Sequence, residues 1–150
     1  MCCREVIAGE GSIDIPATVP CRHLTVDADP RAPSMARAFV RETVTFGDEE
    51  FVADVALVTS ELVTNAVIHA RTPVEIGVVR DGERVLVSVG DRNLARPEQQ
   101  PYSDKRTSGR GLRIVRGLVD SWGVTAHSGG KSVWFTLRAE EDRDMETGEA

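Results

Sequence analysis

The sequence predicts an α+β two-layer sandwich: a mixed, mainly antiparallel sheet with its helices on one face. Three observations carry this. First, β-rich runs follow one another across tight turns. Val74 to Val79 joins Val85 to Val89 through Arg80-Asp81-Gly82-Glu83, and Val124 to His127 joins Ser132 to Leu137 through Ser128-Gly129-Gly130-Lys131. Such hairpin connections force antiparallel pairing. Second, Asp48 to Ala70 is a long helical pattern that is apolar all round, and a helix of that kind must be buried. Third, the coarse order β-α-α-β-β-loop-α-β-β has too few helices for two faces, so they cover one.

Each element has its own local reason. Residues 1–20 hold Gly9, Gly11, Pro16 and Pro20 and read as a loose lead-in with at most one short strand. Arg22 to Val26 alternates apolar and polar positions, as a half-buried strand does. Asp29-Pro30-Arg31-Ala32-Pro33-Ser34 then offers cap and first-turn residues. The spacing predicts a helix over Met35 to Phe46, with Met35, Phe39 (or Ala38) and Thr43 along one face and Gly47 ending it. Arg71-Thr72-Pro73 breaks the long helix. Residues 92–108 contain Pro97, Gln99, Gln100, Pro101 and Ser103 but no apolar period. So long an irregular stretch inside a compact domain is usually functional, often a lid. A helix comes next over Leu112 to Val119, with Leu112, Val115 and Val119 on one side. The expected organisation is a lead-in over 1–20, one domain over 21–138, and an acidic, solvated tail over 139–150.

Composition narrows the function. The chain has 150 residues, 41% hydrophobic and 28% charged, which is the size and balance of one globular domain. A formal net charge of −6 argues against nucleic acid as the main partner, because phosphate backbones need a basic footprint. No run is expected to cross a bilayer. Met1-Cys2-Cys3-Arg4-Glu5 lacks the layout of a secretory signal, so a cytoplasmic location without membrane association is the default expectation. Three cysteines, Cys2, Cys3 and Cys21, suit a reducing compartment. With His23 they offer zinc ligands, but their spacing fits no standard pattern.

Three features carry chemistry. In Ser60-Glu61-Leu62-Val63-Thr64-Asn65-Ala66-Val67-Ile68-His69, Glu61, Asn65 and His69 fall at i, i+4 and i+8 and share a helix face. That face either meets solvent or an internal polar network, or it lines a polar cavity. In the second case Asn65 offers an amide oxygen suited to Mg²⁺, and Glu61, one turn away, can orient or deprotonate a nucleophile. Thr107-Ser108-Gly109-Arg110-Gly111-Leu112 opens a helix directly after the irregular stretch. Two glycines there let backbone amides face an anion, and Arg110 adds charge. Alone, Gly-x-Gly is a weak signal. Val85-Leu86-Val87-Ser88-Val89-Gly90-Asp91 is an apolar strand ending in one aspartate. Asp91 is either a strand-end residue or an acceptor for an adenine amino group in an apolar pocket.

Taken together and in this order, these features resemble the GHKL superfamily of ATP-binding domains, shared by gyrase, heat-shock chaperones, histidine kinases and MutL. Glu61 to His69 looks like its N box, Asp91 like the first residue of its G1 box, and Gly109-Arg110-Gly111-Leu112 like its G2 box. The likeness is greatest to the small bacterial anti-sigma factor serine kinases. Asp29-Pro30-Arg31-Ala32-Pro33 leading into Ala36-Arg37-Ala38-Phe39-Val40, Asn65 to Ala70, and Lys131-Ser132-Val133-Trp134-Phe135 support it.

The resemblance implies the GHKL, or Bergerat, fold with ATP and Mg²⁺ as cofactors. Asn65 would coordinate Mg²⁺, Glu61 would be the catalytic base and Asp91 would recognise adenine. Gly109, Arg110, Gly111 and Leu112 would lie against the phosphates, under a lid formed by 92–108. Ser132 matches a hydroxyl position near the base, and His69 fits the pattern either as packing or as a nucleotide contact. The implied activity is a protein-serine kinase that is also an anti-sigma factor. It would sequester a sigma factor and phosphorylate an antagonist protein on serine, as a homodimer. One departure stands out: the G1 box usually continues Asp-x-Gly-x-Gly, whereas here it reads Asp91-Arg92-Asn93-Leu94-Ala95. Without those glycines the loop reaches the same backbone conformations less easily. That motivates an alternative, a catalytically silent binding module with nucleotide as a switch or unused. The core of a histidine kinase is a third possibility, disfavoured because no histidine-bearing dimerisation helices precede the domain.

Overall fold

The computed structural model describes residues 21–91, 117–127 and 130–139. In chain order they form β1 (Cys21–Val26), α1 (Ala32–Thr43), α2 (Glu49–Ala70), β2 (Val74–Asp81), β3 (Arg84–Asp91), β4 (Ser121–His127) and β5 (Gly130–Arg138). The five strands make one sheet in the order β1-β2-β3-β5-β4, and all four pairings are antiparallel. The predicted α+β sandwich is therefore the fold. The predicted lead-in over 1–20, lid over 92–108, the first part of the helix at 112–119 and the tail from 140 lie outside the described residues. Of that last helix, only Gly117 and Leu118 are described, and both are helical.

The sheet sorts its side chains by strict alternation. Val74, Ile76 and Val78 on β2, Val85, Val87 and Val89 on β3, and Val133, Phe135 and Leu137 on β5 belong to one buried cluster with side chains of both helices. The register confirms the shared face, since Val78 pairs Val87 and Val87 pairs Phe135. On the other face, Trp134 lies against Gly123, its neighbour on β4. A Cβ built at Gly123 would sit 2.8 Å from the indole, so the close approach requires glycine. The β2–β3 hairpin turns on Gly82 at φ 67°. That is the first of two turn positions, where a hairpin needs a positive φ.

The helices depart from the sequence-based expectation in specific ways. Helix α1 starts at Ala32, with Pro33 in its first turn, and stops at Thr43 rather than running from Met35 to Phe46. Its buried face is Ala32, Ala36 and Val40, and Met35 is 47% exposed. The buried stripe is thus rotated away from Met35, while Thr43 stays half-buried at its edge. Small residues at i and i+4 let the helix approach its neighbours closely, which a methionine stripe would prevent. Val44 is extended, and Phe46 then turns inward to meet the Phe51 ring at 5.3 Å between centroids.

Helix α2 is buried along much of its surface but not all round as expected, since Leu57 and Ile68 are exposed. Asp48 caps it by accepting a hydrogen bond from the Phe51 amide at 2.8 Å, and Phe51, Val55, Val58, Leu62, Val63 and Ala66 are almost fully buried. Contrary to the expectation that no segment could span a bilayer, Glu49–His69 is long and apolar enough by length and composition. Its apolar surface is instead covered by α1 and the sheet, since most of that span is buried inside the fold.

Candidate functional site

The candidate residues converge on one end of the sheet. Asp91 closes β3 and pairs with Lys131 at the start of β5 and with Val74 at the start of β2. By alternation with Val87 and Val89, Asp91 emerges on the helix-covered face, and Lys131 does the same by alternation with Val133 and Phe135. Both are buried, at 4% exposure each. A carboxylate and an ammonium on adjacent strands, at the same register and the same face, form a polar floor in an otherwise apolar layer. Asp91 also has an interaction with a further group.

Helix α2, packed across β3, supplies the second wall. Asn65 is 6% exposed, while Glu61 and His69, one turn to either side, are half-buried. The flanking hydroxyls are satisfied within the helix: Thr59 Oγ1 donates to the Val55 carbonyl at 2.7 Å, Ser60 Oγ to Leu57 at 2.9 Å and Thr64 Oγ1 to Ser60 at 2.8 Å. The Asn65 amide makes no such bond among the described residues. The side chain is nearly covered, yet its amide is left available to a bound group that brings its own charge or dipole. The hard amide oxygen of Asn65 suits Mg²⁺, which keeps few protein ligands and fills its shell with water and phosphate.

The structure buries Asn65 on α2 and Asp91 on β3, the strand against which α2 packs, leaves Glu61 half-buried, and adds Lys131, which sequence reasoning did not single out as a site residue. The reading of Ser128-Gly129-Gly130-Lys131 as the connecting turn hid it, because a lysine in a turn is ordinary; β5 in fact begins at Gly130 and takes Lys131 into the sheet. Ser132 is not brought to the same place. It alternates with Trp134 onto the opposite face, where a Cβ on Gly90 would come within 2.6 Å of its Oγ. The sheet therefore lies between Ser132 and the face that carries Asp91 and α2, the helix of the expected base Glu61. Gly109, Arg110, Gly111 and Leu112 lie outside the described residues. His69 has an interaction of its own. Cys21 Sγ lies 3.3 Å from His23 Nε2 on the edge strand. Among the described residues no group of three or more His, Cys, Asp or Glu side chains could hold a metal.

Comparisons with known proteins agree with this geometry. The family model described as a histidine kinase-like ATPase domain matches residues 26–137. A comparison with curated proteins finds no match. Among solved structures, the RsbU and RsbW domains of Rv1364c from Mycobacterium tuberculosis share 26% identity at a TM-score of 0.58, over 79% of this chain and 32% of that one. The histidine kinase domain of the blue-light activated histidine kinase from Erythrobacter litoralis EL346 shares 26% identity at a TM-score of 0.48, over 64% of this chain and 48% of that one. The chain thus spans about a third of the first structure and about half of the second. With its sheet, its two-helix layer and the family model matched over nearly all described residues, the chain belongs to the histidine kinase-like ATPase domain family.

Proposed function

We propose that this protein is an ATP- and Mg²⁺-dependent protein-serine kinase of the anti-sigma factor type. It would hold a sigma factor and phosphorylate an antagonist protein on serine, acting in the cytoplasm as a homodimer. The observation that carries the reading is Asn65: a nearly buried side chain whose amide makes no hydrogen bond among the described residues, one turn from Glu61 on the helix that packs against β3, the strand ending in Asp91. The similarity to a structure containing an RsbW domain supports the kinase class, and the family supports nucleotide binding.

In this reading each side chain has one task. Asp91 accepts the adenine amino group, and apolar neighbours such as Val89 and Val133 exclude water around it. Asn65 supplies an amide oxygen to Mg²⁺, and the metal, when bound, offsets charge on the phosphates. Glu61 accepts the proton of the acceptor serine as its oxygen bonds to the γ-phosphorus. The bond from that phosphorus to the bridging oxygen breaks and ADP leaves with the electron pair. Gly109, Arg110 and Gly111 would meet the phosphates with backbone amides and a guanidinium.

The test separates binding from transfer. Calorimetry with ATP and Mg²⁺ should show binding that Asn65→Ala weakens at least about tenfold, an interaction worth about 1.4 kcal/mol or more. Incubation with labelled ATP and a cognate antagonist should then move label to a serine. Binding without transfer selects the silent binding module with nucleotide as a switch, and no ATP binding at all selects the same module with nucleotide unused; either outcome removes the kinase reading.

A further inference from the structure

At the end of the sheet remote from Asp91 lies a second cavity, of about 250 Å³. It sits six residues back along β3, at Val85, which is about 20 Å at 3.3 Å per residue. Val78, Val85 and Phe46 form an apolar floor, and Arg22 and Arg80 stand at its rim. Arg80 is held in place twice: its guanidinium lies 3.8 Å from the Phe46 ring centroid, and its Nε donates to the Gly82 carbonyl at 2.9 Å. Neither arginine takes part in the ion pairs among the described residues, which join Arg31 to Asp29 and Arg84 to Asp81. Among the described residues no acidic side chain lines the cavity. The Thr43 hydroxyl, also in the lining, is buried with no hydrogen-bond partner among the described residues. Two uncompensated cations, an orphan hydroxyl and an apolar floor define a receptor for an acidic segment carrying one apolar side chain.

The chain itself carries such a segment, and it starts beside the cavity. Ala139 is buried in the helix-side cluster, and its amide donates to the Glu83 carbonyl at 2.8 Å. Leu137, two residues earlier, pairs directly with Val85 of the cavity floor. Beyond Ala139 the chain runs Glu140-Glu141-Asp142-Arg143-Asp144-Met145-Glu146-Thr147-Gly148-Glu149-Ala150, with six acidic residues against one arginine, a net −5. From Ala139, Arg80 and Arg22 lie two and three strands away, about 10 and 15 Å at the usual strand spacing. The six residues to Met145 reach about 20 Å when extended.

We propose that residues 140–150 fold back onto this cavity, with their carboxylates on Arg22 and Arg80 and the Met145 side chain on the Val78–Val85 floor beside Phe46. The contact is electrostatic in part and so weakens with salt. It is a reversible cap at the end of the sheet opposite to the nucleotide end, and it stands whether or not the chain transfers phosphate.

The test uses the full chain. Amide and methyl NMR spectra are compared between the native sequence and a variant with Glu140→Gln, Glu141→Gln, Asp142→Asn, Asp144→Asn and Glu146→Gln. These substitutions leave the core untouched. The amides of Arg22, Phe46 and Arg80 should shift, high salt should produce the same displacement in the native chain, and the Met145 methyl should move upfield under the Phe46 ring. In an Arg22→Gln, Arg80→Gln background, neutralising the tail should no longer move Phe46. The proposal is overturned if the native and neutralised spectra superimpose outside the tail, as they would if the cavity serves another protein's acidic segment. It is equally overturned if the shifts persist in the double-glutamine background, or if the Met145 methyl keeps its unstructured position.

Discussion

Asn65 shows how one side chain can be read against its neighbours. Thr59, Ser60 and Thr64 return their hydroxyls to carbonyls three or four residues back, the usual fate of small polar residues inside a helix. Asn65 makes no such bond among the described residues, although it is only 6% exposed. Asn65→Ala should therefore lower ATP affinity while leaving the melting temperature of the nucleotide-free chain unchanged or raised. Differential scanning calorimetry with and without ATP and Mg²⁺ checks both halves, since nucleotide bound only to the folded state raises the native midpoint by mass action. Glu61→Gln, isosteric and one turn away, should keep ATP binding and lose serine transfer. A variant that loses both in equal measure removes Glu61 as the base. At Gly90 the constraint is steric. A methyl there would meet Ser132 Oγ at 2.6 Å on the adjacent strand, and Gly90→Ala should cost about 1–3 kcal/mol of stability. Urea titration of Gly90→Ala alone and with Ser132→Gly decides this, because removing the hydroxyl should recover most of the loss.

At the scale of elements, the ends of α2 set its position. Asp48 satisfies an amide of the first turn, and Glu49 and Glu50 come directly after it, where the helix dipole favours negative charge. Asp48→Ala should cost about 1 kcal/mol, measured by chemical denaturation. The C-terminal end is less comfortable. Arg71 adopts φ 59°, ψ 25°, the left-handed conformation that a β-carbon disfavours and glycine accepts. Arg71→Gly should stabilise the chain by about 0.5–1 kcal/mol, the relief being partly offset by the greater freedom of glycine when unfolded. An unchanged or lower midpoint would show that the Arg71 side chain contributes contacts worth more than the strain.

For the molecule as a whole, the sheet divides labour between its two ends. Phe135, fully buried, sits at the middle of β5, between the Asp91 end and the Val85 end. Its removal as Phe135→Ala should cost about 3–5 kcal/mol and abolish nucleotide binding only through unfolding. Thermal scans with increasing ATP should then still show a rising midpoint in any fraction that folds. The Asp91 end gathers a carboxylate, a lysine and the Asn65 amide. The hairpin end gathers two arginines over an apolar floor. Charge is thus sorted along the strands, and a single antiparallel sheet carries two chemically different surfaces without a second domain.

Periodicity and turn chemistry were enough to determine much of this protein. The two hairpins, the buried α2 and the single sheet are legible because alternation in Val-rich runs and all-round apolarity each have one economical solution. Glu61, Asn65 and Asp91 were legible because polar residues on apolar elements stand out. Tertiary packing decided the rest. Only the close approach of α1 to its neighbours selected Ala32, Ala36 and Val40 over the larger Met35 as the buried stripe. Only the register of β3 against β5 set Lys131 beside Asp91 and turned Ser132 to the other face, since a shift of one residue exchanges the two. The hairpin-end cavity was invisible for the same reason. Arg22, Thr43 and Arg80 are far apart in sequence, and only strand pairing makes them neighbours.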